Sequence, residues 1–270
     1  MVARKRAPGL RLEPVMPEPL LRVENRERAL VFADIHLGYE AGLRRRGVVV
    51  PSQTRSLLDR LLAAVERERP DRLVVLGDVK HTVPGASWQE RDELPRFFRE
   101  LRERVPVEVV PGNHDGRLAD LLGNGVPVSP MAGKVLDGVA YMHGHTWPLP
   151  DLLRRRALVL GHDHLVVELR DEVGGRQRER VWVRTRLDPS KLPPRLRPAA
   201  RAGMEVIIAP ACNPVLGGVP VNGGGGFMGP LLRCGAVDVP NGEVHLLDGT
   251  YLGRVADLPV YPRIRGSSPG

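Results

Sequence analysis

Five short polar clusters, each placed directly after an apolar run, constrain the fold of this chain more than any other feature of its sequence. The clusters are DIH at 34–36 after ALVFA, GD at 77–78 after RLVVL, GNHD at 112–115 after VEVVP, HGH at 143–145 after VAYM and GHDH at 161–164 after ALVL. Apolar runs of this length predict buried strands. In an open α/β sheet, ligands bind at the carboxyl ends of the strands. We therefore expect the five clusters to meet at one crevice.

The pattern between the clusters predicts an α/β protein. Short apolar runs predict strands at 29–33, 72–76, 107–110, 139–142, 157–160, 165–170, 181–186, 205–209 and 243–247. Two amphipathic segments predict helices at 52–69 and 88–105, with Ser52 as a candidate N-cap of the first and Pro95 inside the second. The order β-α-β-α-β indicates helices packed on a mostly parallel sheet, and the strands after about residue 160 indicate antiparallel additions without helices.

The length of the chain suits one large domain. We predict that 20–262 of the 270 residues form a single domain, with weakly ordered tails at 1–19 and 263–270. The Pro- and Arg-rich segment 187–203 is long for a loop in a compact domain, which favours a functional or a disordered loop. The sequence has no apolar run of about 18–20 residues, the length that spans a bilayer, and no apolar segment typical of a signal peptide.

Arginine gives the chain a strong positive charge. It has 40 Lys and Arg against 32 Asp and Glu, a formal net charge of +8. A basic protein favours anionic partners such as nucleic acid or phosphorylated metabolites. An Arg-rich composition is also typical of a GC-rich genome or a thermophilic host, so charge alone leaves nucleic-acid binding open. The two cysteines lack CxxC spacing, which argues against a cysteine zinc site and favours a reducing, cytoplasmic location.

The side chains of the five clusters suit a pair of divalent metal ions. Imidazole and carboxylate ligands together favour Mn, Fe or Zn, whereas an all-oxygen set would favour Mg or Ca. Two metals about 3.5–4 Å apart need a bridging ligand, and a carboxylate offers two oxygens and a negative charge. The i, i+2 spacing of Asp34 with His36, and of His162 with His164, would place each pair on one side of an extended segment. D-x-H and G-D alone are weak motifs, G-N-H-D and G-H-x-H are moderately specific, and the ordered set of five is specific.

The ordered set D-x-H, G-D, G-N-H-D, H and G-H-x-H resembles the signature of the calcineurin-like metallophosphoesterases, and it spans residues 34–164. Further stretches resemble the archaeal SbcD-related and DNA-ligase-associated branch of that family. They are DIHLGYE (34–40), RRRGVVVP (44–51), GDVKH (77–81), NPVLGGVPVN (213–222) and LLDGTYLG (246–253). A role near DNA repair would follow from this branch by analogy alone.

The resemblance implies a four-layer α/β/β/α metallophosphoesterase sandwich with two facing mixed sheets. It implies two divalent metal ions, Mn in the first place with Fe, Zn or Ni as alternatives. In this resemblance His114 is the acid that protonates the leaving oxygen, and Asp115 orients His114. The implied metal ligands are Asp34, His36 and His164 for the first ion, Asn113, His143 and His162 for the second, and Asp78 as the bridge.

Several polar residues beside the predicted ligands are candidates for substrate binding. Lys80 and His81 follow Asp78 closely, and they either contact the substrate or belong to the lead-in of a helix. His145 is a further candidate, and its spacing would also let it replace His143 as a metal ligand. The arginines at 44–46 either bind a phosphate or form a solvated run of charge.

The resemblance implies a metal-dependent phosphoesterase in which a metal-bridging hydroxide attacks phosphorus without a covalent enzyme intermediate. We expect it to hydrolyse phosphodiester bonds of nucleotides or nucleic acid. A phosphomonoesterase or nucleotide phosphatase is the first alternative, and a non-catalytic scaffold with the same fold is the second. Against the scaffold, all seven ligand positions and His114 are present. We expect a phosphate-ester substrate and no membrane partner, whereas protein partners and oligomeric state stay open.

Overall fold

Two mixed β-sheets form the centre of the molecule in a computed structural model, which describes residues 9–261 except 124, 172, 174 and 224–225. The strands in this part of the chain are β1 (Arg11–Val15), β2 (Leu20–Glu24), β3 (Arg28–Ala33), β4 (Arg72–Leu76), β5 (Val107–Val110), β6 (Lys134–Leu136), β7 (Val139–Tyr141), β8 (Ala157–Leu160), β9 (Val166–Arg170), β10 (Arg176–Arg186), β11 (Glu205–Ile208), β12 (Glu243–Leu246) and β13 (Tyr251–Arg254). The α-helices are α1 (Tyr39–Arg45), α2 (Thr54–Glu68), α3 (Trp88–Arg102), α4 (Leu118–Leu122) and α5 (Pro230–Arg233).

The first sheet has the strand order β1-β2-β3-β4-β5. β3, β4 and β5 run parallel, and β1 and β2 add antiparallel to the edge of β3. Parallel neighbours need a crossover connection, and α1 with α2 supplies it between β3 and β4 while α3 supplies it between β4 and β5. The predicted β-α-β-α-β order is therefore confirmed.

The second sheet has the order β13-β12-β10-β11-β8-β7-β6, and β9 pairs with the first half of β10. β7, β8 and β11 run parallel, whereas β10, β12 and β13 are antiparallel additions. The antiparallel character predicted after residue 160 is thus present. The prediction of no helices there was wrong, because α5 lies within that part of the chain.

The strands alternate between two apolar layers, as side chains on a pleated strand must. In β3, Leu30 and Phe32 pack against the helices, whereas Val31 and Ala33 face the second sheet. In β8, Val159 faces the first sheet and Leu158 lies in the outer layer. The layer between the sheets draws on both of them, so we propose that residues 9–261 belong to a single domain.

The outer layers of the sandwich differ in construction. Helices α2 and α3 cover the first sheet with an apolar stripe that includes the adjacent Phe97 and Phe98. The second sheet is covered by α5, short 3₁₀ turns and the segment 187–203, whose Leu192 and Leu196 are buried. The predicted mixed α/β sandwich with two facing sheets is confirmed, and segment 187–203 is a packed part of it.

Two local predictions were wrong. Residues 9–19 are not a weakly ordered lead-in, because Arg11–Val15 pairs along its whole length with β2. Residues 1–8 and 262–270, which include the predicted C-terminal tail, lie outside the described residues. Ser52 does not cap α2, whose N-cap is Gln53; the buried carboxylate of Glu40 accepts a hydrogen bond of 2.9 Å from the Gln53 N–H and fixes the entry to the helix.

No helix within the described residues has the length and apolar character that a membrane crossing requires.

Candidate metal centre

The structure brings the predicted ligands together at one edge of the sandwich. The loops that carry them follow β3, β4 and β5 of the first sheet and β7 and β8 of the second. The two sheets also join there, because Ala33 and Ala211 form an isolated bridge and the Cys212 N–H donates to the Ala33 carbonyl at 2.8 Å. A site at this edge therefore receives side chains from both sheets.

One group of potential ligands comprises Asp34, His36, Asp78 and His164, whose candidate ligand atoms all lie within 4.8 Å of one another. His36 Nε2 is 3.3 Å from Asp78 Oδ2, and His164 Nε2 is 3.3 Å from Asp34 Oδ1. Asp34, His36 and Asp78 are buried. These four side chains form a pocket of two carboxylates and two imidazoles, a donor set that suits a divalent transition metal.

A second group comprises Asp78, His143 and His162, again with ligand atoms within 4.8 Å. His143 Nε2 lies 3.4 Å from Asp78 Oδ2 and 3.2 Å from His162 Nδ1. Asn113 adjoins this group, with its Oδ1 3.2 Å from His143 Nε2. Asp78 thus belongs to both groups, and its Oδ2 is the atom that faces both.

Unpaired buried atoms test whether a metal fits here. Asp34 Oδ1, His36 Nε2 and His164 Nε2 are buried and have no hydrogen-bond partner. A buried polar atom without a partner costs about 1–3 kcal/mol, and more if it is charged. A divalent cation among these atoms would satisfy all three at once. The residues present therefore fit a metal ion.

The backbone of the ligand loops is held in the left-handed region. Asp34, His36, Asp78, His162 and His164 have φ angles of 57°, 40°, 47°, 78° and 46°. Such conformations cost about 1–3 kcal/mol for residues other than glycine, and they persist where the surrounding structure fixes them. The expectation that the i, i+2 pairs lie on extended segments was therefore wrong. Asp34 and His36 enter the same ligand group, whereas His162 and His164 enter different ones, because the chain turns sharply at each of these residues.

Backbone carbonyls orient two of the histidines. His143 Nδ1 donates to the Leu76 carbonyl at 2.9 Å, and His164 Nδ1 donates to the Gly217 carbonyl at 3.3 Å. A carbonyl only accepts, so Nδ1 carries a proton and Nε2 is the nitrogen directed into the pocket. This arrangement fixes the tautomer of a metal-binding histidine.

Two glycines allow the close approach of the loops. A Cβ on Gly112 would lie 2.2 Å from Asp78 Oδ1, and a Cβ on Gly161 would lie 2.8 Å from Asp34 Oδ2. Both distances are shorter than nonbonded contacts allow. The glycines that precede Asn113 and His162 in their motifs are thus a steric condition for the pocket.

The carboxylates and histidines of the site shift one another's pKa values. Burial disfavours the charged form of Asp78, but close contacts with the imidazoles of His143 and His36 outweigh it and hold the pKa of Asp78 far below its ordinary value. Burial also opposes the charge on His143, yet contacts with Asp78 and Asp34 raise its pKa to about 9. Burial and the charge of His143 lower the pKa of His162 to about 4. The carboxylates of the pocket therefore stabilise a positive charge that burial alone would disfavour.

His114 lies beside the first group with one nitrogen held and the other free of a backbone contact. Its Nδ1 donates to the His81 carbonyl at 2.6 Å, and its Nε2 is 4.0 Å from Asp78 Oδ2. Asp115, predicted to orient His114, does something else. Its buried carboxylate accepts hydrogen bonds from the N–H groups of Gly112 at 2.8 Å and Val79 at 2.9 Å. His81 thus orients His114, and Asp115 fixes the two loops to each other.

The three candidate substrate contacts have different surroundings. Lys80 is buried, and its ammonium donates to the Thr82 carbonyl at 2.7 Å and to the His114 carbonyl, so its prediction as a substrate contact was wrong. His81 is half-buried, with its Nδ1 3.3 Å from His36 Nδ1. His145 lies outside both ligand groups, with its ring centroid 5.2 Å from that of His143.

Glu90 is a buried residue that holds the loop after Asp78, and it was not among the residues predicted for the site. It is fully buried in the first turn of α3, and its carboxylate accepts hydrogen bonds from the N–H groups of His81 at 2.8 Å and Thr82 at 2.6 Å. It also forms a capping box with Ser87. The pattern Ser-x-x-Glu before an apolar run was the available signal for it.

Comparisons with known proteins agree with this geometry. The model of the calcineurin-like phosphoesterase family matches residues 27–216. The crystal structure of the Pseudomonas putida nuclease MPE superposes with a TM-score of 0.51 at 19% identity, covering 90% of this chain and 100% of that one. The YfcE phosphoesterase from E. coli gives a TM-score of 0.39 at 16% identity, covering 84% of this chain and 98% of that one. At these identities the first comparison shows a shared fold, and the second carries no argument.

Proposed function

Since the chain belongs to the calcineurin-like phosphoesterase family, and is therefore a metal-dependent hydrolase of phosphoric esters, we propose that it is a dinuclear phosphodiesterase acting on nucleotides or nucleic acid. The observation that carries the dinuclear assignment is the position of Asp78, which belongs to two of the three groups of potential ligands, whereas the third consists of His36, His81 and His114. One carboxylate that faces two pockets is the arrangement that a bridged metal pair requires.

The ligand assignment follows the two groups. In this proposal the first ion is held by Asp34, His36 and His164, the second by Asn113, His143 and His162, and Asp78 bridges them. The mixed imidazole and carboxylate donors favour Mn, with Fe, Zn or Ni as alternatives. When bound, such a pair lowers the pKa of water in the site toward about 7 and neutralises charge on the phosphate oxygens.

A side chain of the protein must then supply one proton to the leaving oxygen. Hydrolysis adds water across a P–O bond, so the departing oxygen must receive a proton. His114 is the proposed donor, because its Nδ1 is fixed by the His81 carbonyl and its Nε2 has no backbone partner. A positioned acid of this kind contributes about 10²–10⁴-fold to the rate.

The preference for diesters rests on charge around the site. The net charge of +8 and the exposed arginines at 44–46 favour a polyanionic substrate. Hydrolysis of bis-p-nitrophenyl phosphate and of p-nitrophenyl phosphate by Mn-loaded protein separates the alternatives. We expect the higher kcat/KM for the diester; a clear preference for the monoester would support a nucleotide phosphatase instead.

The Asp78→Asn substitution tests the bridge. It keeps the volume of the side chain and removes its charge, so we expect loss of at least one bound metal per chain and at least a 10³-fold lower kcat. Metal content by mass spectrometry and diester hydrolysis measure both effects. Asp59→Asn, the same change in an exposed ion pair on α2, is the matched control and should retain both. An Asp78→Asn protein with full metal content and turnover would refute the bridging role.

A further inference from the structure

A patch of exposed apolar side chains lies at the start of α3. Trp88, the first residue of the helix, is 90% exposed, and Val83 in the loop before it is 58% exposed. Val49 is 78% exposed in the loop between α1 and α2. The two loops adjoin, since the Gln89 side-chain amide donates to the Ser52 hydroxyl at 3.2 Å. An indole left almost wholly in water within such a patch indicates an interaction site.

This patch is on the same edge of the molecule as the metal centre. Helix α3 begins just beyond the carboxyl end of β4, where Asp78 also lies. Glu90, two residues after Trp88, binds the backbone N–H of His81 at 2.8 Å, and His81 contacts His36. Trp88 is therefore separated by two residues and one hydrogen bond from a loop that touches the proposed ligands.

Three arginines lie at the end of α1, just before Val49 in the chain. Arg44, Arg45 and Arg46 are exposed and form no ion pair with any of the described residues. Arg45 faces the centre, because a Cβ built on Gly42 would lie 3.8 Å from Arg45 Nη2 and 3.4 Å from His81 Nε2. Unpaired arginines and an exposed aromatic ring on adjoining segments are a combination that binds single-stranded nucleic acid, with phosphates on the cations and a base on the ring.

We propose that this surface, defined by Arg44, Arg45, Arg46, Val49 and Trp88, binds a single-stranded segment of the nucleic-acid substrate, with one base stacked on Trp88. The inference rests on the proposed function for its substrate class. The stacked base fixes the strand beside the metal centre, and the arginines neutralise the phosphates that lead to it. Duplex ends fit less well, because their bases are already paired and stacked.

The test measures binding without catalysis. Metal-free protein in EDTA is titrated against a fluorescein-labelled oligo(dT) 12-mer, and the Kd is read from anisotropy. We expect Trp88→Ala and Arg45→Ala each to weaken binding about tenfold, and Trp88→Phe to weaken it less than Trp88→Ala because it keeps an aromatic face. The Kd of Arg45→Ala should also depend less steeply on salt than that of the wild type, whereas the salt slope of Trp88→Ala should be unchanged.

Two control substitutions remove the same kinds of side chain, an exposed aromatic ring and an exposed arginine, elsewhere on the surface. Tyr251→Ala removes an exposed aromatic ring on β13, and Arg201→Ala removes an exposed arginine within segment 187–203; both should bind oligo(dT) like the wild type. Wild-type affinity in Trp88→Ala would overturn the proposal, as would equal weakening by Arg201→Ala, which would move the binding surface to segment 187–203. Equal weakening of single-stranded and blunt duplex binding by Trp88→Ala would overturn the stacking. A wild type that binds oligo(dT) but hydrolyses no diester with Mn would refute the proposed function and leave this surface intact.

Discussion

At the scale of single residues, several of the proposed metal ligands have strained, left-handed backbone conformations. Five of the eight non-glycine residues with positive φ among those described are proposed metal ligands. Left-handed backbone at Asp34 and His36 turns both side chains toward Asp78, which an extended strand end could not do. Each such residue costs about 1–3 kcal/mol. The cost is offset where hydrogen bonds fix the loop, as when the His36 N–H donates to the Asp78 carbonyl at 2.8 Å.

His114 differs from its neighbours because its role is chemical rather than coordinating. We expect His114→Asn to retain bound metal, because the proposed ligand sets leave this residue out. We expect kcat to fall about 10²–10⁴-fold, since the leaving oxygen loses its proton donor. The fall should be larger for an alkyl diester than for bis-p-nitrophenyl phosphate, whose phenolate leaves without help. Metal content and kcat for the two substrates measure this, and loss of metal in the variant would make His114 a ligand.

At the scale of elements, the N-terminus of α3 is hydrogen-bonded to the loop that contains His81 and Thr82. The Glu90 carboxylate closes the capping box and also receives the N–H groups of His81 and Thr82. The His81 carbonyl in turn holds His114, so the helix sets the position of the proposed acid through one peptide segment. Gly38 belongs to the same arrangement, because a Cβ there would lie 2.7 Å from the Glu90 Cγ.

Glu90→Gln should therefore impair catalysis without removing metal. The amide of the variant is not a charged acceptor for the N–H groups of His81 and Thr82. Because these groups position His114 through the same loop, we expect kcat to fall about tenfold with KM and metal content unchanged. The free energy of unfolding at pH 7 should drop by about 1.5–3 kcal/mol. Glu93→Gln on the same helix, whose carboxylate contacts Ser52 and Gln89, is the matched control. Normal kcat in Glu90→Gln would show that the loop holds its shape without this contact.

The pH dependence of this stability difference has a definite sign. Burial raises the pKa of Glu90, but hydrogen bonds from the Thr82 and Ser87 backbone outweigh it and lower the pKa below the ordinary 4.5. A carboxylate with a lowered folded-state pKa stabilises the fold above the unfolded pKa and loses this contribution as the pH falls. The difference between wild type and Glu90→Gln should thus shrink below pH 4.5, as urea unfolding at pH 7 and pH 4 would show.

The sequence predicted the central elements because their apolar pattern is strong, and it missed those that depend on tertiary context. The predicted strands at 72–76, 107–110 and 157–160 match β4, β5 and β8 residue for residue. β1 was missed because Pro14 and two charged residues interrupt its apolar pattern, and its pairing with β2 at the edge of the first sheet stabilises it. β6 was missed because it has three residues.

The same division applies to the site. Spacing after strands was enough to gather Asp34, Asp78 and Asn113, because the parallel strands β3, β4 and β5 share a carboxyl edge. The roles of Lys80 and Asp115 could not be predicted, because they depend on which backbone groups face each side chain. Both bind loop carbonyls or N–H groups, and only the folded loop brings those groups within reach.

At the scale of the whole molecule, the proposed metal ligands come from both sheets. Asp34, Asp78 and Asn113 follow strands of the first sheet, whereas His143 and His162 follow strands of the second. A metal pair held as proposed would therefore bind both sheets at once. Such ions bind the folded chain and not the separated ligands of the unfolded one, so their binding free energy adds to stability.

Removal of metal should accordingly lower the melting temperature of the whole domain rather than loosen one loop. With free metal at 100 times its Kd the expected stabilisation is about 2.7 kcal/mol, or about 5–10 °C in Tm for a chain of this size. Differential scanning calorimetry with Mn and with EDTA measures the shift, which Asp59→Asn should show in full and Asp78→Asn should largely lose. If EDTA strips the metal and the wild-type Tm stays the same, the ions do not connect the two sheets, because a ligand that binds only the folded state must raise its stability.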